Sequence, residues 1–319
     1  MVPKANLQDV IVVGELNVDI ILNKIENFPE IGKEILADEM IVTLGSSSAI
    51  FASNLSTLGT KVGFIGKIGC DNFSYTVMDS LNSKGVDSSQ IIKSPNENTG
   101  ATIVLNYGQD RAMVTYPGAM AELMVEEIDF DFVAKYKHLH LSSPFLQPKL
   151  KVDIVRLFRK AKELGLSTSL DPQWDPTEKW DIQLDELLPY VDVFLPNIKE
   201  IKALTKTNTL EDALAHIKPF GKCTVVKNGK HGVVCQIVDE LIIQPAFLNN
   251  QVVDCIGAGD TFNSGFISKY IQKAPISECL EFGALTGAIN TTMAGGTAAF
   301  DSIEKVKKIA RTKFGFEID

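Results

Sequence analysis

Short apolar runs alternate with longer segments of helical periodicity along nearly the whole chain. The run DVIVVGE (9–15) predicts a strand, SAIFASNLSTLG (48–59) a helix, and KVGFIGKIG (61–69) the next strand. Helices are also predicted for PKLKVDIVRLFRKAKELG (148–165) and DIQLDELLPY (181–190). Strands that are apolar throughout and separated by helices indicate a largely parallel sheet covered on both faces. We therefore expect a three-layer α/β/α sandwich with a mostly parallel central sheet.

Two regions break this rhythm, at residues 17–44 and 100–118. Each has the pattern of a strand, a turn and a second strand, with no helix between the strands. We expect them to form a small β-sheet lid on one edge of the main sheet. No low-complexity linker or internal repeat divides the chain, so residues 1–319 are predicted to be a single domain.

The charge balance narrows the classes of partner. Asp and Glu number 40 against 31 Lys and Arg, for a formal net charge of −9, whereas a nucleic-acid groove needs a concentrated basic surface. No segment has the roughly 18–20 apolar residues of a membrane span, and the N-terminal residues lack a signal-peptide pattern. The five cysteines are scattered without a CxxC pair, which argues against a disulfide framework or a zinc site. We expect a cytoplasmic protein that binds neither nucleic acid nor membrane.

The segment DCIGAGDTFNSGFI (254–267) places glycines and an aspartate at the start of a helical rhythm. Gly257 and Gly259 allow backbone angles at which successive N–H groups converge, and the dipole of a helix N-terminus adds to the affinity for an anion. Asp260 beside such a site suits a base that takes a proton from an attacking hydroxyl. The segment therefore favours phosphoryl transfer to an alcohol. The alternative is structural: Asp260 or Thr261 caps a helix and the glycines permit a tight turn.

The segment LPNIKE (195–200) sets Asn197 and Glu200 three residues apart, on one face of a helix that follows a strand. A carboxamide and a carboxylate there can orient Mg²⁺-bound water and phosphate, because Mg²⁺ keeps several waters and takes few protein ligands. The alternative is a capping box with Asn197 as N-cap, and the two roles are compatible.

The segment VVKNGKHGVV (225–234) predicts a strand, a glycine-containing turn and a second strand. At Gly229 and Gly232 the backbone can lie against a nucleotide, and Lys227 can reach phosphate. An ordinary hairpin accounts for the same pattern.

The segment GELNVD (14–19) leaves Asn17 and Asp19 on one face just past the first strand, where they can hydrogen-bond the hydroxyls of a polyol. An exposed strand face is the alternative. Downstream, TLGSSSAIFASN (43–54) begins a helix whose free N–H groups and hydroxyls can also meet sugar oxygens. The residues at that helix start are Gly45, Ser46, Ser47 and Ser48.

Together and in this order, these motifs resemble those of the ribokinase-like (PfkB) sugar kinases, from GELNVD to MAGGTAAF (293–300). VVDCIGAGDTFNSGF (252–266) is similar to that family's C-terminal signature, and KVGFIGKIGCDNFS, NIKE and VVKNGKHG support the likeness. DPQWDPTEKW (171–180) resembles a segment of the fructokinase and 2-keto-3-deoxygluconate kinase branch.

The resemblance implies ATP-dependent phosphorylation of a sugar hydroxyl. It implies that Asp260 is the base and that the amides of Gly257, Ala258 and Gly259 form an anion hole for the transferring phosphoryl group. The positions that it assigns to ATP are Asn197, Lys227, Gly229, Gly232 and Asn290. The positions that it assigns to the acceptor are Asn17, Asp19, Gly45, Ser46, Ser47 and Arg111.

The resemblance also implies two cations and a partner. Mg²⁺ is expected at Glu200 through water, and a monovalent cation, K⁺, at Asp254. Cys255 and Ile256 stand where two threonines are usual, which bears on that second cation. The lid is expected to close over the site and to form a homodimer interface.

The acceptor motifs depart from the family pattern. Ser46 replaces a glycine and Ile50 the asparagine that often contacts the sugar, so ribose specificity is open. Gln173 and Asp175 stand where asparagine and arginine are usual, and the missing arginine removes a bidentate partner for an acidic sugar.

Two other functions stay open beside a sugar kinase. A nucleoside kinase of the same fold needs an aromatic platform for a base, which Phe51, Tyr107 and Tyr116 can supply. A catalytically silent sugar-binding protein is suggested by the altered acceptor motif and opposed by the intact Asp260 loop. A nicotinamide dehydrogenase is disfavoured, because no dinucleotide fingerprint follows the first strand.

Overall fold

The computed structural model describes residues 7–107 and 110–318. Its strands, numbered in chain order, are β1 (Gln8–Val13), β2 (Asn17–Asn23), β3 (Glu39–Leu44), β4 (Val62–Ile68), β5 (Asp87–Lys93), β6 (Gly100–Tyr107), β7 (Asp110–Tyr116), β8 (Tyr136–Ser142), β9 (Ser167–Asp171), β10 (Val193–Phe194), β11 (Cys223–Lys227), β12 (Val233–Ile237) and β13 (Glu240–Gln244). Its α-helices are α1 (Ser47–Thr57), α2 (Asn72–Ser83), α3 (Phe130–Val133), α4 (Pro148–Val152), α5 (Ile154–Glu163), α6 (Leu184–Leu187), α7 (Ile198–Thr205), α8 (Leu210–Ile217), α9 (Ala258–Ile271), α10 (Ile276–Asn290) and α11 (Ile303–Phe314). None of the helices in these ranges is long and apolar enough to cross a bilayer.

The main sheet has nine strands within the described residues, in the order β13-β12-β11-β10-β9-β8-β1-β4-β5. Neighbouring strands from β11 to β5 in this order are parallel. The pairs β11–β12 and β12–β13 are antiparallel, so the turn after β11 is a hairpin. The predicted mostly parallel central sheet is confirmed.

Strand β1 lies in the middle of the sheet, and its side chains build the cores on both faces. Val10 and Val12 pack in one cluster with residues of α1 and α9. Ile11 and Val13 point the other way and pack in a second cluster with residues of α5. Because all four are fully buried, the sheet is covered on both faces, which gives the predicted three layers.

The small sheet has the order β3-β2-β6-β7. Its pairs β2–β3 and β6–β7 are antiparallel, and the parallel pair β2–β6 joins them. Side chains alternate along a strand, so the register assigns each residue to a face. One face, called the polar face of the lid below, carries Asp19, Thr43, Thr102, Arg111 and Thr115.

The opposite face of the small sheet is apolar and exposed. The exposed side chains of this apolar face of the lid are Met40, Val42, Ile103, Val114 and Tyr116. In the register, Val42, Ile20, Ile103 and Val114 form a row across all four strands.

Two helices are shorter than the sequence pattern predicts. Segment 148–165 forms α4 and α5, which are separated at Asp153. Segment 181–190 is α-helical over α6 and then continues as a 3₁₀ turn, Leu188–Tyr190. Pro189 accounts for the early end of α6, because proline lacks the amide hydrogen that an α-helix needs.

Candidate active site

The candidate site lies beyond the carboxyl ends of β9, β10 and β11, which carry or precede Asp171, Asn197 and Lys227. Helix α9 begins at Ala258 on the facing side. Between these elements lies a cleft of about 530 Å³, whose walls include Asn197, Lys227, Ala258 and the lid residue Arg111. Ligands of open parallel sheets bind at such a position.

Helix α9 begins without a side-chain cap. Its N-cap residue, Gly257, has φ +74°, and a Cβ atom there would lie 2.7 Å from the Cα of Gly296, so glycine is required both by angle and by space. Asp260 lies inside the first turn, and the Thr261 hydroxyl donates to the Gly257 carbonyl at 2.7 Å. The structural alternative, in which Asp260 or Thr261 caps the helix, therefore does not hold.

The loop offers open amides at this helix N-terminus. The Ala258 amide donates to the Cys255 carbonyl at a long 3.3 Å. Among the described residues, no hydrogen bond engages the amides of Gly257, Gly259 and Asp260. Unsatisfied amides at the positive end of a helix dipole attract an anion, so the loop can hold a phosphoryl group.

Asp260 is a buried carboxylate in the wall of the cleft. Its Oδ1 accepts a hydrogen bond from Gln173 Nε2 at 2.8 Å, and its Oδ2 accepts none from the described part of the chain. Burial, and then the negative charge of Asp171, raise the pKa of Asp260 to about 8, although Lys227 opposes the shift. A carboxylate with such a pKa can take a proton near neutral pH.

Lys227 anchors a buried network behind Asp260. Its Nζ lies 2.7 Å from Asp171 Oδ2 and donates to Asn263 Oδ1 at 3.3 Å. Asn263 Nδ2 and Gln173 Nε2 donate to the same Asp171 oxygen at 2.5 and 3.1 Å. The network links β9, β11 and α9, so it fixes the base relative to the sheet.

Asn197 and Glu200 form a capping box at the start of α7. The Asn197 side chain accepts from the amides of Lys199 and Glu200, and the Glu200 carboxylate accepts from Asn197 N at 2.8 Å and from Asn197 Nδ2. Burial, and then the charge of Asp171, raise the pKa of Glu200 to about 7. Glu200 also lines the cleft, so the capping role and a role toward a ligand are compatible.

Much of the cleft lining is apolar and suits a flat ring. The predicted residues Gly229 and Gly232 line it, with φ of +53° and +85°. The side chains that build its walls include Phe247, Leu248, Val252, Ala284, Ala288 and Thr291.

The side chain of Asn290, which the resemblance places near the adenine, supports the loop before α9. Its side chain is fully buried, donates to the Ile256 carbonyl at 2.6 Å and accepts from the Thr261 hydroxyl at 3.2 Å. It holds the loop before α9 from behind and is not among the described residues that line the cleft.

The polar face of the lid brings Asn17 and Asp19 together. Asn17 Nδ2 donates to Thr102 Oγ1 at 2.9 Å and to Asp19 Oδ1 at 3.2 Å. Burial raises the pKa of Asp19 to about 6, whereas the Asn17 hydrogen bond and the Arg111 charge lower it. A Cβ atom on Gly45 would lie 2.3 Å from Asp19 Oδ1, so the lack of a side chain there is needed.

The serines at the start of α1 are held by a glutamate that the sequence reading left without a role. Ser47 Oγ donates to Glu15 Oε1 at 2.8 Å, and both the amide and the hydroxyl of Ser48 donate to the same carboxylate. Burial raises the pKa of Glu15, although its serine partners lower it. Ser46 caps α1 through Ala49 N at 3.0 Å and donates to the Glu15 carbonyl at 2.6 Å.

Asp254 braces the loop before α9. Its Oδ1 accepts from Ile256 N and its Oδ2 from Gly295 N, each at 2.9 Å. Both carboxylate oxygens thus have backbone partners, and the described residues contain no cluster of three or more histidine, cysteine or acidic side chains arranged for a metal ion.

Sequence reasoning named Gln173 only as a departure from the family pattern, and it gave Asp171 no catalytic role beyond its place at the end of a strand. Their contacts to Asp260 and Lys227 join residues 87 and 56 positions apart, which no local pattern reveals. The available signal was the position of Asp171 at the end of a strand in a parallel sheet.

Comparisons with known proteins identify the class. Residues 7–303 match the model of the pfkB family carbohydrate kinases. The chain is 29% identical over 235 residues to a protein described as an uncharacterized sugar kinase from Archaeoglobus fulgidus, with 73% of this chain and 92% of that protein covered. It is 26% identical to 2-dehydro-3-deoxygluconokinase of Bacillus subtilis, over 82% of this chain and 85% of the relative.

Solved structures agree with this match. The structure of Arabidopsis thaliana ribokinase complexed with ribose and ATP superimposes with a TM-score of 0.82 at 26% identity, over 95% of this chain and 98% of that one. The protein is a phosphotransferase with an alcohol group as acceptor. It belongs to the PfkB family of carbohydrate kinases, as the motifs indicated, and its relatives include the 2-keto-3-deoxygluconate kinase branch.

Proposed function

We propose that this protein transfers the γ-phosphoryl group of ATP to a hydroxyl of a sugar, with Asp260 as the base. The observation that carries the proposal is the juxtaposition, in one cleft, of a buried carboxylate and the open amides of Gly257 and Gly259 at the start of α9. The base and the anion site lie on the same helix turn, so an attacking hydroxyl and a phosphoryl group can meet between them.

In the reaction, the acceptor oxygen forms a bond to the γ-phosphorus while the bond from that phosphorus to the β–γ bridging oxygen breaks and ADP leaves. The hydroxyl proton goes to Oδ2 of Asp260, the oxygen that accepts no hydrogen bond within the described residues. The amides of Gly257 and Gly259 stabilise the charge on the equatorial phosphoryl oxygens, and the Ala258 amide joins them if it gives up its 3.3 Å bond to Cys255.

The donors around Glu200 fit a hydrated Mg²⁺ that accompanies ATP. Glu200 offers carboxylate oxygens at the cleft wall, already oriented by Asn197, which suits contact through water better than direct ligation. When bound, Mg²⁺ neutralises part of the phosphate charge. Lys227 holds Asp171 in the same wall and can turn to a phosphate oxygen.

The acceptor would bind between Asp260 and the polar face of the lid. Asn17 and Asp19 supply an amide and a carboxylate for hydroxyls, and Arg111 lines the same cleft from β7. Arg111 is a candidate partner for an anionic group, which a 2-keto-3-deoxy sugar acid carries and a simple sugar lacks. Ser47 Oγ, held by Glu15, adds a further hydroxyl.

Fewer observations support a nucleoside than a sugar as the acceptor. Phe51 is fully buried and stacks on His140, and the register turns Tyr107 and Tyr116 away from the polar face of the lid. These three aromatic residues therefore do not form a platform at the proposed acceptor position.

Two further features belong to this proposal. The exposed apolar face of the lid suits a homodimer interface, so Ile103→Glu and Val114→Glu should shift the protein to monomer in light scattering.

A monovalent cation is proposed near Asp254, and replacing K⁺ by tetramethylammonium should lower kcat; equal rates in both salts would exclude it.

The decisive experiment measures ADP release with 2-keto-3-deoxygluconate, fructose, ribose, tagatose and adenosine, for wild type and Asp260→Asn. We expect turnover of at least one sugar and a loss of kcat of about 10²–10⁴-fold in the variant. Asp239→Asn is the matched control, because Asp239 is exposed and lies at the other end of β12. Full activity of Asp260→Asn would overturn the mechanism, and sugar binding without turnover would indicate a silent binder.

A further inference from the structure

Gln173 has an unusual backbone next to the proposed base. It follows β9 by two residues and has φ +55°, a left-handed conformation that costs a non-glycine residue energy. It is half-buried and lines the cleft. A strained backbone at a candidate active site leads to the hypothesis that the side chain has a function there.

The contacts of Gln173 identify that purpose. Its Nε2 donates to Asp260 Oδ1 at 2.8 Å and to Asp171 Oδ2 at 3.1 Å, and its own amide donates to Asp171 Oδ1 at 3.3 Å. Asp171 is fully buried and fixed by Lys227 and Asn263. Gln173 is therefore the link through which the rigid network reaches the carboxylate of Asp260.

We propose that Gln173 is a positioning residue for Asp260: its amide occupies Oδ1 and turns Oδ2 toward the acceptor hydroxyl. The inference rests on the proposed role of Asp260 as base. An asparagine is one carbon shorter, so at this position it would not span the same two carboxylates from the same backbone. The strained conformation brings the longer amide back over Asp171 to Asp260.

The same contact affects the protonation of the base. The charged groups that face Asp260 are Asp171, Lys227, Glu15 and Glu200. Three of the four are acidic, so a hydrogen-bond donor on Asp260 favours its ionised form. Loss of the amide should raise the pKa of Asp260 further, and a carboxylate in its place should raise it most.

The test compares Gln173→Gly, which removes the amide and accepts φ +55°, with Gln173→Glu, which keeps the length and reverses the interaction. We expect kcat to fall about 10–100-fold in Gln173→Gly, as for loss of a hydrogen bond to a charged group, with the KM for ATP changed by less than about threefold. The acidic limb of the pH profile of kcat should move to higher pH in the order wild type, Gly, Glu. Glu178→Gly is the matched control, because Glu178 is exposed, has φ +55° and belongs to the same loop.

A second readout does not need turnover. The pH dependence of unfolding by urea between pH 7 and 9 includes the ionisation of Asp260, which is the part that Asp260→Asn removes. The midpoint of that part should move up in both Gln173 variants but not in Glu178→Gly. An unchanged kcat, an unchanged pH profile and an unmoved midpoint in Gln173→Gly would overturn the inference. Failure of the proposed function is seen separately, as full turnover in Asp260→Asn.

Discussion

At the scale of single residues, Lys227 is a largely buried cation that faces the carboxylates of Asp171, Glu200 and Asp260. Burial alone would lower the pKa of Lys227, but the three negative charges outweigh it and raise that pKa. Burial raises the pKa values of Glu200 and Asp260, and the neighbouring charge of Asp171 raises them further, because one cation does not balance three carboxylates. The site therefore holds excess negative charge that can shed or take protons near neutral pH.

Removing Lys227 should destabilise the fold in a pH-dependent way. Lys227→Met leaves buried carboxylates unpaired, so we expect the free energy of unfolding at pH 8 to fall by about 3–5 kcal/mol. The loss should shrink at pH 5, because Glu200 and Asp260 are then protonated. Urea unfolding measures both values, and Lys230→Met in the same turn is the exposed control. A loss that is equal at the two pH values would contradict this charge balance.

The sequence leads to the prediction that Asp260 is the base, but it does not predict the residues that surround this carboxylate. The segment GAGD predicts an anion site because its glycines allow unusual backbone angles, and Gly257 does have φ +74°. The contact from Gln173 depends on how β9 and α9 pack in three dimensions, which a local sequence pattern does not predict. For the same reason the resemblance, which places Asn290 near the adenine, does not show that its side chain donates to the Ile256 carbonyl and does not line the cleft in the described part of the chain.

At the scale of elements, helix α1 shows how a departure from the family pattern is accommodated. Ser46, in place of a glycine, keeps φ +69° and caps the helix with its hydroxyl. Its Oγ also donates to the Glu15 carbonyl at 2.6 Å, which ties the helix start to the end of β1. The hydroxyl thus offsets strain that the backbone imposes on a side chain.

Two substitutions separate these effects. Ser46→Ala loses both hydrogen bonds but keeps the strained backbone, so we expect a loss of about 1–2 kcal/mol in the free energy of unfolding. Ser46→Gly loses the same bonds and relieves strain of about 1–3 kcal/mol, so it should be clearly more stable than Ser46→Ala. Urea unfolding of the two variants side by side tests this, and equal stabilities would mean that φ +69° costs nothing here.

Element boundaries were predictable where the termination signal is local. The helix predicted for 48–59 is α1, and Gly59 follows its end with φ +90°. The helix predicted for 181–190 ends early at Pro189. The prediction followed the apolar periodicity and did not take this proline into account. The order of strands in the main sheet was out of reach, since pairs such as β1–β8 join segments more than a hundred residues apart.

At the scale of the whole molecule, two sets of buried groups respond to pH in opposite senses. His138 and His140 are fully buried between β8 and β9 and hydrogen-bond to Ser142, Ser167 and Ser169. Burial lowers the pKa of His138 to about 3 and that of His140 well below its usual range. Because the unfolded chain then binds more protons than the folded one, these two histidines lower the free energy of unfolding as pH falls below about 6.5. The acidic groups of the cleft act the other way.

Asp260 and Glu200 have folded pKa values of about 8 and about 7, above their ordinary values of 3.8 and 4.5. A raised pKa stabilises the fold at low pH, and that stabilisation is lost as pH rises through the folded value. Between pH 7 and 8.5 the histidines are mostly neutral in both states, so we expect the two carboxyl groups to lower the free energy of unfolding by about 1–2 kcal/mol across this window. Activity should rise over the same window, because the base must be ionised. Urea unfolding of wild type and Asp260→Asn tests the argument: the variant should lose much of the dependence and keep the smaller part that comes from Glu200, and an undiminished slope would mean that Asp260 is not a titrating group.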